Sequence, residues 1–292
     1  MRILDSHLHL WDPSVLAYDW LEGDLNAPFA AAELAEDRIE DVQREAAVFV
    51  QADPRTSQAL DEVRWVDSIA EETGVIGIVA GARLHKKRTL RDHLDALGEY
   101  ERVVGIRHLL QGEPDGFALR RAFVEGASEI AARGLTFDAC VRAHQIPDVT
   151  ALADAVPDLR IVLDHLGKPA IGTSEDPLPP SVEWVRDLCA LAERPQVMLK
   201  LSGLPAESSG HIDEDQMVPF LDAALEAFGA DRLMWGSDWP VSSVDSEGDS
   251  LYFPGNRDDW CHTIADWARE RGADVDGIMW GNAARFYRLP AE

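Results

Sequence analysis

Short runs of apolar and β-branched residues alternate with amphipathic stretches along the whole chain. Eight of these runs read as strands: Arg2–His9, Ala46–Ala52, Gly77–Arg83, Val103–Leu110, Thr136–Arg142, Arg160–Leu166, Val197–Gly203 and Arg232–Trp239. Between them, apolar residues recur at helical spacing, as in Leu60, Val63, Val66, Ile69 and Ala70. Leu119, Ala122, Phe123, Ala127 and Ile130 repeat the pattern, and so do Val218, Leu221, Ala224, Leu225 and Phe228. Gly74, Gly134 and Gly229 follow three such helices, where a left-handed cap is wanted.

No linker or break in composition divides this alternation. It predicts one domain over residues 1–292, an α/β fold of the TIM-type (β/α)8 class, distorted and ending in a C-terminal helix over Asp276–Leu289. Two connections are long. Trp11–Ala32 carries Trp11, Tyr18, Trp20 and Phe29, and Val241–Arg257 carries Tyr252 and Phe253. Both follow strands, so both are candidates for a lid or wall at the catalytic mouth.

Composition narrows the function classes. Of 292 residues, 46% are hydrophobic, which supplies a sizeable core and excludes wholesale disorder. The formal charge of −26 repels phosphate backbones and acidic membrane surfaces, which argues against nucleic-acid and membrane partners. No apolar run approaches the ~18 residues of a membrane span. Cys140, Cys189 and Cys261 are far apart and odd in number, so no disulfide framework is expected. The start, MRILDSHLHLWDP, lacks a signal-type apolar stretch, and the chain reads as cytoplasmic, with association into a homo-oligomer left open.

Polar residues at strand ends carry the candidate chemistry, because a barrel of this class works at that face. Alternation along the first strand places Asp5, His7 and His9 on one face and Leu4, Leu8 and Leu10 on the other. Two imidazoles aimed at one cavity are half of a metal site, or a cluster for an anionic or carbonyl oxygen. The sixth strand ends in Asp164 and His165; opposite parity makes Asp164 a supporting acceptor. Asp238 ends the eighth, where an unpaired buried carboxylate would be costly without a task. Arg107 or His108 faces inward on the fourth strand, but not both. Arg142, Lys200 and Gln51 are further strand-end candidates, the first suited to a carboxylate or hydroxyl-rich substrate. Trp11 and Trp239 adjoin these motifs as an apolar or sugar-stacking wall. His85, His93, His144, His211 and His262 read as loop or helix surface.

The strings DSHLHLWDP, GIRHLLQGEPD, VLDHLGKP, LKLSGL, MWGSDWPV and GNAARFYRL occur in that order from Asp5 to Leu289. As a set they resemble the amidohydrolase superfamily, in its amidohydrolase-related (amidohydrolase 2) branch of sugar-lactone and pyrone-dicarboxylate lactonases. The resemblance implies a barrel hydrolase that opens a lactone, with Asp238 and His165 catalytic. It also implies one divalent ion (zinc or manganese) on His7, His9, His165 and Asp238, or no ion at all. Superfamily members with two metals carry a carboxylated lysine on the fourth strand and a histidine on the fifth. Here those strands offer Arg107 and His108, then Asp138, Cys140 and Arg142, so a second ion is not expected. Arg107 or His108, Arg142, Lys200, Trp11 and Trp239 would bind the substrate, a small lactone. A non-oxidative decarboxylase of the same superfamily and a non-catalytic metabolite-binding barrel are the alternatives. No Gly-x-Ser-x-Gly elbow is present, which disfavours a serine nucleophile.

Overall fold

Each of the eight apolar runs overlaps a strand: six enclose it, and the second and third strands begin two residues before their runs. In the computed structural model, which describes residues 1–208, 213–243 and 256–290, the strands are β1 (Arg2–Leu8), β2 (Arg44–Val50), β3 (Val75–Gly81) and β4 (Val103–Arg107). They continue as β5 (Thr136–Ala139), β6 (Ile161–Leu163), β7 (Val197–Leu201) and β8 (Leu233–Trp235). All lie in one parallel sheet in sequence order, β1 to β8. The sheet closes just beyond β8, where Asp238 N–H donates to the His7 carbonyl (2.8 Å) and His9 N–H to the Trp239 carbonyl (2.9 Å). This is the expected (β/α)8 barrel.

The helices are α1 (Ala31–Glu36), α2 (Ala59–Ser68), α3 (Ala70–Thr73), α4 (Lys87–Leu97) and α5 (Arg121–Ala132). The rest are α6 (Ile146–Ala155), α7 (Val182–Ala192), α8 (Glu214–Phe228), α9 (Arg257–Glu270) and α10 (Asn282–Tyr287). Their apolar stripes face the outer surface of the barrel. Leu90, Leu94 and Leu97 of α4 and Phe123, Ala127 and Ile130 of α5 are buried against strand residues such as Ile78, Ile106 and Phe137. Each of the leucine, isoleucine and phenylalanine side chains contributes roughly 1.5–3 kcal/mol of burial. Ser181 and Asn256 cap α7 and α9 by accepting the N–H of Trp184 and Asp259.

The barrel interior holds a second, separate apolar cluster. Leu4, Val48, Val162, Met198 and Met234 point inward near the starts of their strands and pack on Trp280, Ala283 and Phe286. The C-terminal segment therefore plugs the floor of the barrel through a π-helical turn at Gly277–Gly281 and α10. Inward parity continues up the strands to Asp138, Asp164 and Lys200. This corrects two readings of alternation. Leu4 is inside rather than outside, because the β1 pairing shifts register between Asp5 and Leu8. Asp5 leaves the cavity face: it accepts from Ser237 N–H (2.9 Å) and meets Arg257 of α9 (3.3 Å). Asp164, placed on the wrong parity by the pattern, lies in phase with the inward Val162.

The connection after β1 folds on itself. Trp11 and Phe29 exchange backbone hydrogen bonds (2.9 and 2.8 Å), and Trp11, Leu16, Tyr18 and Leu21 form a small aromatic-aliphatic core. Of the connection after β8, residues 244–255 lie outside the described residues, as does His211. No helix among the described residues is long and apolar enough to cross a membrane.

Candidate active site

Four side chains meet where the barrel opens beyond the C-terminal ends of its strands. The register shift in β1 turns His7 inward, and His9 follows at the strand exit. Their Nε2 atoms lie 3.2 Å apart. Asp238 Oδ1 sits 3.4 Å from His9 Nε2, 3.7 Å from His7 Nε2 and 3.8 Å from His165 Nε2. His165 arrives by an unusual route, since residues 165–168 run successively through left-handed backbone (φ 54, 53, 72 and 55°). That run swings a residue of outward parity into the cavity, beside the inward Asp164. Two glycines give the imidazoles room. A Cβ at Gly203 would stand 2.3 Å from His165 Nδ1, and one at Gly236 would stand 2.8 Å from His7 Cβ. The glycines of LKLSGL and MWGSDWPV are therefore part of the site.

The electrostatics split the cluster into one carboxylate and three neutral imidazoles. Burial drives His7 well below the usual histidine range, assisted by the Lys200 ammonium. Burial also lowers His9 and brings His165 down to about 4. For Asp238 burial acts upward, but His165, His9 and His7 beside it together outweigh that, and the carboxylate is held far below its ordinary range. Ser242 Oγ donates to its second oxygen at 2.8 Å.

These donors fit a divalent ion. The Val50 carbonyl, 2.7 Å from His9 Nδ1, takes that proton and leaves the Nε2 lone pair facing the cavity. When His7 Nδ1 donates to Asp164 (3.3 Å), its own Nε2 lone pair faces that of His9 across 3.2 Å. Two lone pairs repel at that separation unless a cation lies between them, and metal–nitrogen bonds of ~2.0–2.1 Å place tetrahedral ligand nitrogens about this far apart. Among the described residues two candidate ligand groups occur, His7–His9–Asp238 and His7–Asp164–His165, and they share His7.

Beneath His7 runs a buried ionic chain. Lys200 Nζ touches Asp138 Oδ2 (2.6 Å), Asp164 Oδ1 (3.1 Å) and His7 Nδ1 (3.1 Å), and the Tyr287 hydroxyl of α10 donates to Asp138 Oδ2 (2.8 Å). Burial raises Asp138, whereas Lys200 and His7 hold Asp164 down against burial. Lys200 is 0% exposed, so the expectation that it binds substrate is corrected: it supports His7 from below.

A cavity of about 330 Å³ opens over the cluster, lined by His9, Trp20, Asp53, Arg107, Gln111, Cys140, His165, Lys168, Glu207 and Asp238. A larger one, about 430 Å³, lies to the side between the ends of β2, β3 and β4 and shares only Asp53, Arg107 and Leu109 with it. The smaller cavity contains His9, His165 and Asp238 and is the candidate site. Arg107 is the inward member of its pair, 3.4 Å from His7 Nε2 and bonded to the Gln51 carbonyl. His108 points away into a nest of His85, Phe117 and Phe123. Arg142 is exposed at the turn after β5 and lines neither cavity. Trp11 is fully buried, its indole bonded to the Leu25 and Ala27 carbonyls, and Trp239 packs on Phe29. Neither forms the wall; Trp20, 38% exposed and tied to the Ala52 carbonyl, does. The pattern missed Lys168, Glu207, Asp53 and Gln111. Lys168 and Gln111 left a signal, since each lies in a string, VLDHLGKP or GIRHLLQGEPD, that carries the resemblance.

The fold and site together define a (β/α)8 barrel with a histidine–aspartate centre at its mouth. The amidohydrolase family matches residues 4–289, and the chain belongs to it. It is 30% identical to an L-fucono-1,5-lactonase of Burkholderia ambifaria, over 98% of this chain and 95% of that one. An amidohydrolase from Burkholderia multivorans, solved with bound Zn, superposes with a TM-score of 0.80 at 29% identity, covering 99% of this chain and 100% of that one. A probable 2-pyrone-4,6-dicarboxylic acid hydrolase from Acinetobacter baumannii shares the fold, with a TM-score of 0.74 at 13% identity, covering 99% of this chain and 100% of that one.

Proposed function

We propose that this protein hydrolyses the ring ester of a lactone, and that the lactone is that of a sugar acid. The observation that carries the reading is the position of Asp238 Oδ1, 3.4, 3.7 and 3.8 Å from the Nε2 atoms of His9, His7 and His165, at the base of a cavity of about 330 Å³. Asp238 accepts a proton as water attacks the ester carbonyl, forming the new carbon–oxygen bond. It returns that proton to the ring oxygen when the old bond breaks, one carboxylate acting as base and then acid. The Arg107 guanidinium and the histidine edges face the developing oxyanion. One divalent ion, zinc or manganese, held by His7, His9 and Asp238 with His165 beside them, would polarise the carbonyl and acidify the water. The zinc in the Burkholderia multivorans relative supports this assignment, and the lactonase relatives support the sugar-acid ring. In this reading the enzyme works in the cytoplasm on a small molecule, with neither nucleic acid nor membrane as partner.

The test is a pH-indicator screen of aldonolactones with protein as purified, after chelation, and after restoring zinc or manganese. Acid release from at least one sugar lactone, lost on chelation and regained with about one ion per chain, is the expected result. Released CO₂, or no turnover across the panel, would overturn it.

A further inference from the structure

Seven described residues other than glycine have positive φ, and four of them, Asp53, His165, Lys168 and Asp238, line the reaction cavity. Such backbone costs of order 1–3 kcal/mol per residue and persists where surrounding structure enforces it, often at functional positions. His165 and Asp238 already have roles. Lys168 sits at the end of the same left-handed run that delivers His165, and its side chain is mostly buried. Its ammonium meets Glu207 Oε1 at 3.0 Å, and Glu207 comes from the turn after β7, a separate element. An ammonium has three donors and a carboxylate several acceptor positions, so one contact leaves capacity on both toward the cavity.

We propose that Lys168 and Glu207 form a clamp for two neighbouring hydroxyl groups on the substrate ring. This inference rests on the lactone reading and specifies the substrate class. A vicinal diol both donates and accepts, and it matches an adjacent ammonium and carboxylate with one hydroxyl on each. A ring bearing carboxylates fits worse. Asp53, Glu207 and Asp238 outnumber Arg107 and Lys168 along the cavity, and each added anion faces Glu207 and Asp53 as well as the two cations. Trp20 offers an exposed indole on the same cavity for the apolar face of the ring. The substrate class is thus a polyhydroxylated, uncharged lactone.

The experiment compares wild type, Lys168→Met and Glu207→Gln on a hexono-1,5-lactone and on δ-valerolactone, the bare six-membered ring. Losing a hydrogen bond to a charged group should lower kcat/KM for the hexonolactone by about tenfold or more, mainly through KM. δ-Valerolactone turnover should stay within about twofold. Parallel losses on both rings, or none on either, would overturn the clamp. Calorimetric binding of a hexono-1,5-lactam, whose amide resists opening, reads the clamp without turnover. Weaker lactam binding by both variants supports the clamp, even if wild type opens no lactone and the reaction assignment falls. Lactam binding that is absent in wild type, or equal in all three proteins, overturns the clamp alone.

Discussion

The two ends of the barrel interior are made from the same eight strands on opposite principles. At the floor, Val162, Met198 and Met234 bury apolar surface against Trp280, Ala283 and Phe286. One side-chain repeat further along, at a rise of ~6.6 Å for two residues, β6 leads to Asp164 and β7 to Lys200, and the interior turns ionic. The floor is an apolar cluster whose stability comes from burial, with the guanidinium groups of Arg2 and Arg44 lying over Trp280. The mouth keeps desolvated charges and left-handed backbone, both of which cost stability. Stability and chemistry are therefore separated along the strand axis, with the Lys200 chain at the boundary.

Changes at the two ends should part accordingly. Asp238→Asn preserves shape but can neither accept nor deliver a proton. Its kcat should fall at least about 100-fold with no loss in thermal melting, because the floor is untouched. Normal kcat in the folded variant would dissolve the distinction. Lys200→Met sits on the boundary and should damage both properties. Stranding Asp138 and Asp164 without their cation costs about 3–5 kcal/mol in urea titration, and activity drops as His7 loses its support. Adding Asp138→Asn should return part of the stability but not the rate. Met234→Ala, at the floor, should cost about 2–5 kcal/mol while kcat per folded molecule stays within about twofold. A large fall in kcat there would mean that the ends are coupled.

The last effect concerns pH. Glu62 of α2 accepts the Ala52 N–H at 2.9 Å, and the Ala52 carbonyl in turn holds the Trp20 wall. Burial lifts the Glu62 carboxyl from 4.5 to about 8, so the folded state favours its protonated form. The stability it contributes is complete below about 4.5 and is lost as pH rises through about 8. Glu62→Gln imitates the protonated form at every pH. Melting temperatures of wild type should decline relative to this variant between pH 5 and 8.5, and parallel curves would contradict the assignment.

Strand and helix periodicity, carried by local residue choice, determined the eight-unit barrel from the sequence by itself. It also placed His7, His9, His165 and Asp238 at strand exits, where the structure brings them together. Everything that depended on departures from regular backbone was decided only in three dimensions. The register shift in β1 moved Leu4 inside and Asp5 away, and the left-handed run at residues 165–168 brought His165 and Lys168 to one cavity. Packing between distant segments separated the aromatic residues of the first connection, burying Trp11 and leaving Trp20 on the cavity. It also turned Arg107 in and His108 out, a choice that apolar neighbours on both sides of β4 could not make. Alternation reports which face a side chain takes only while the pleat is regular, and at this mouth the chain gives up regularity to aim its polar groups.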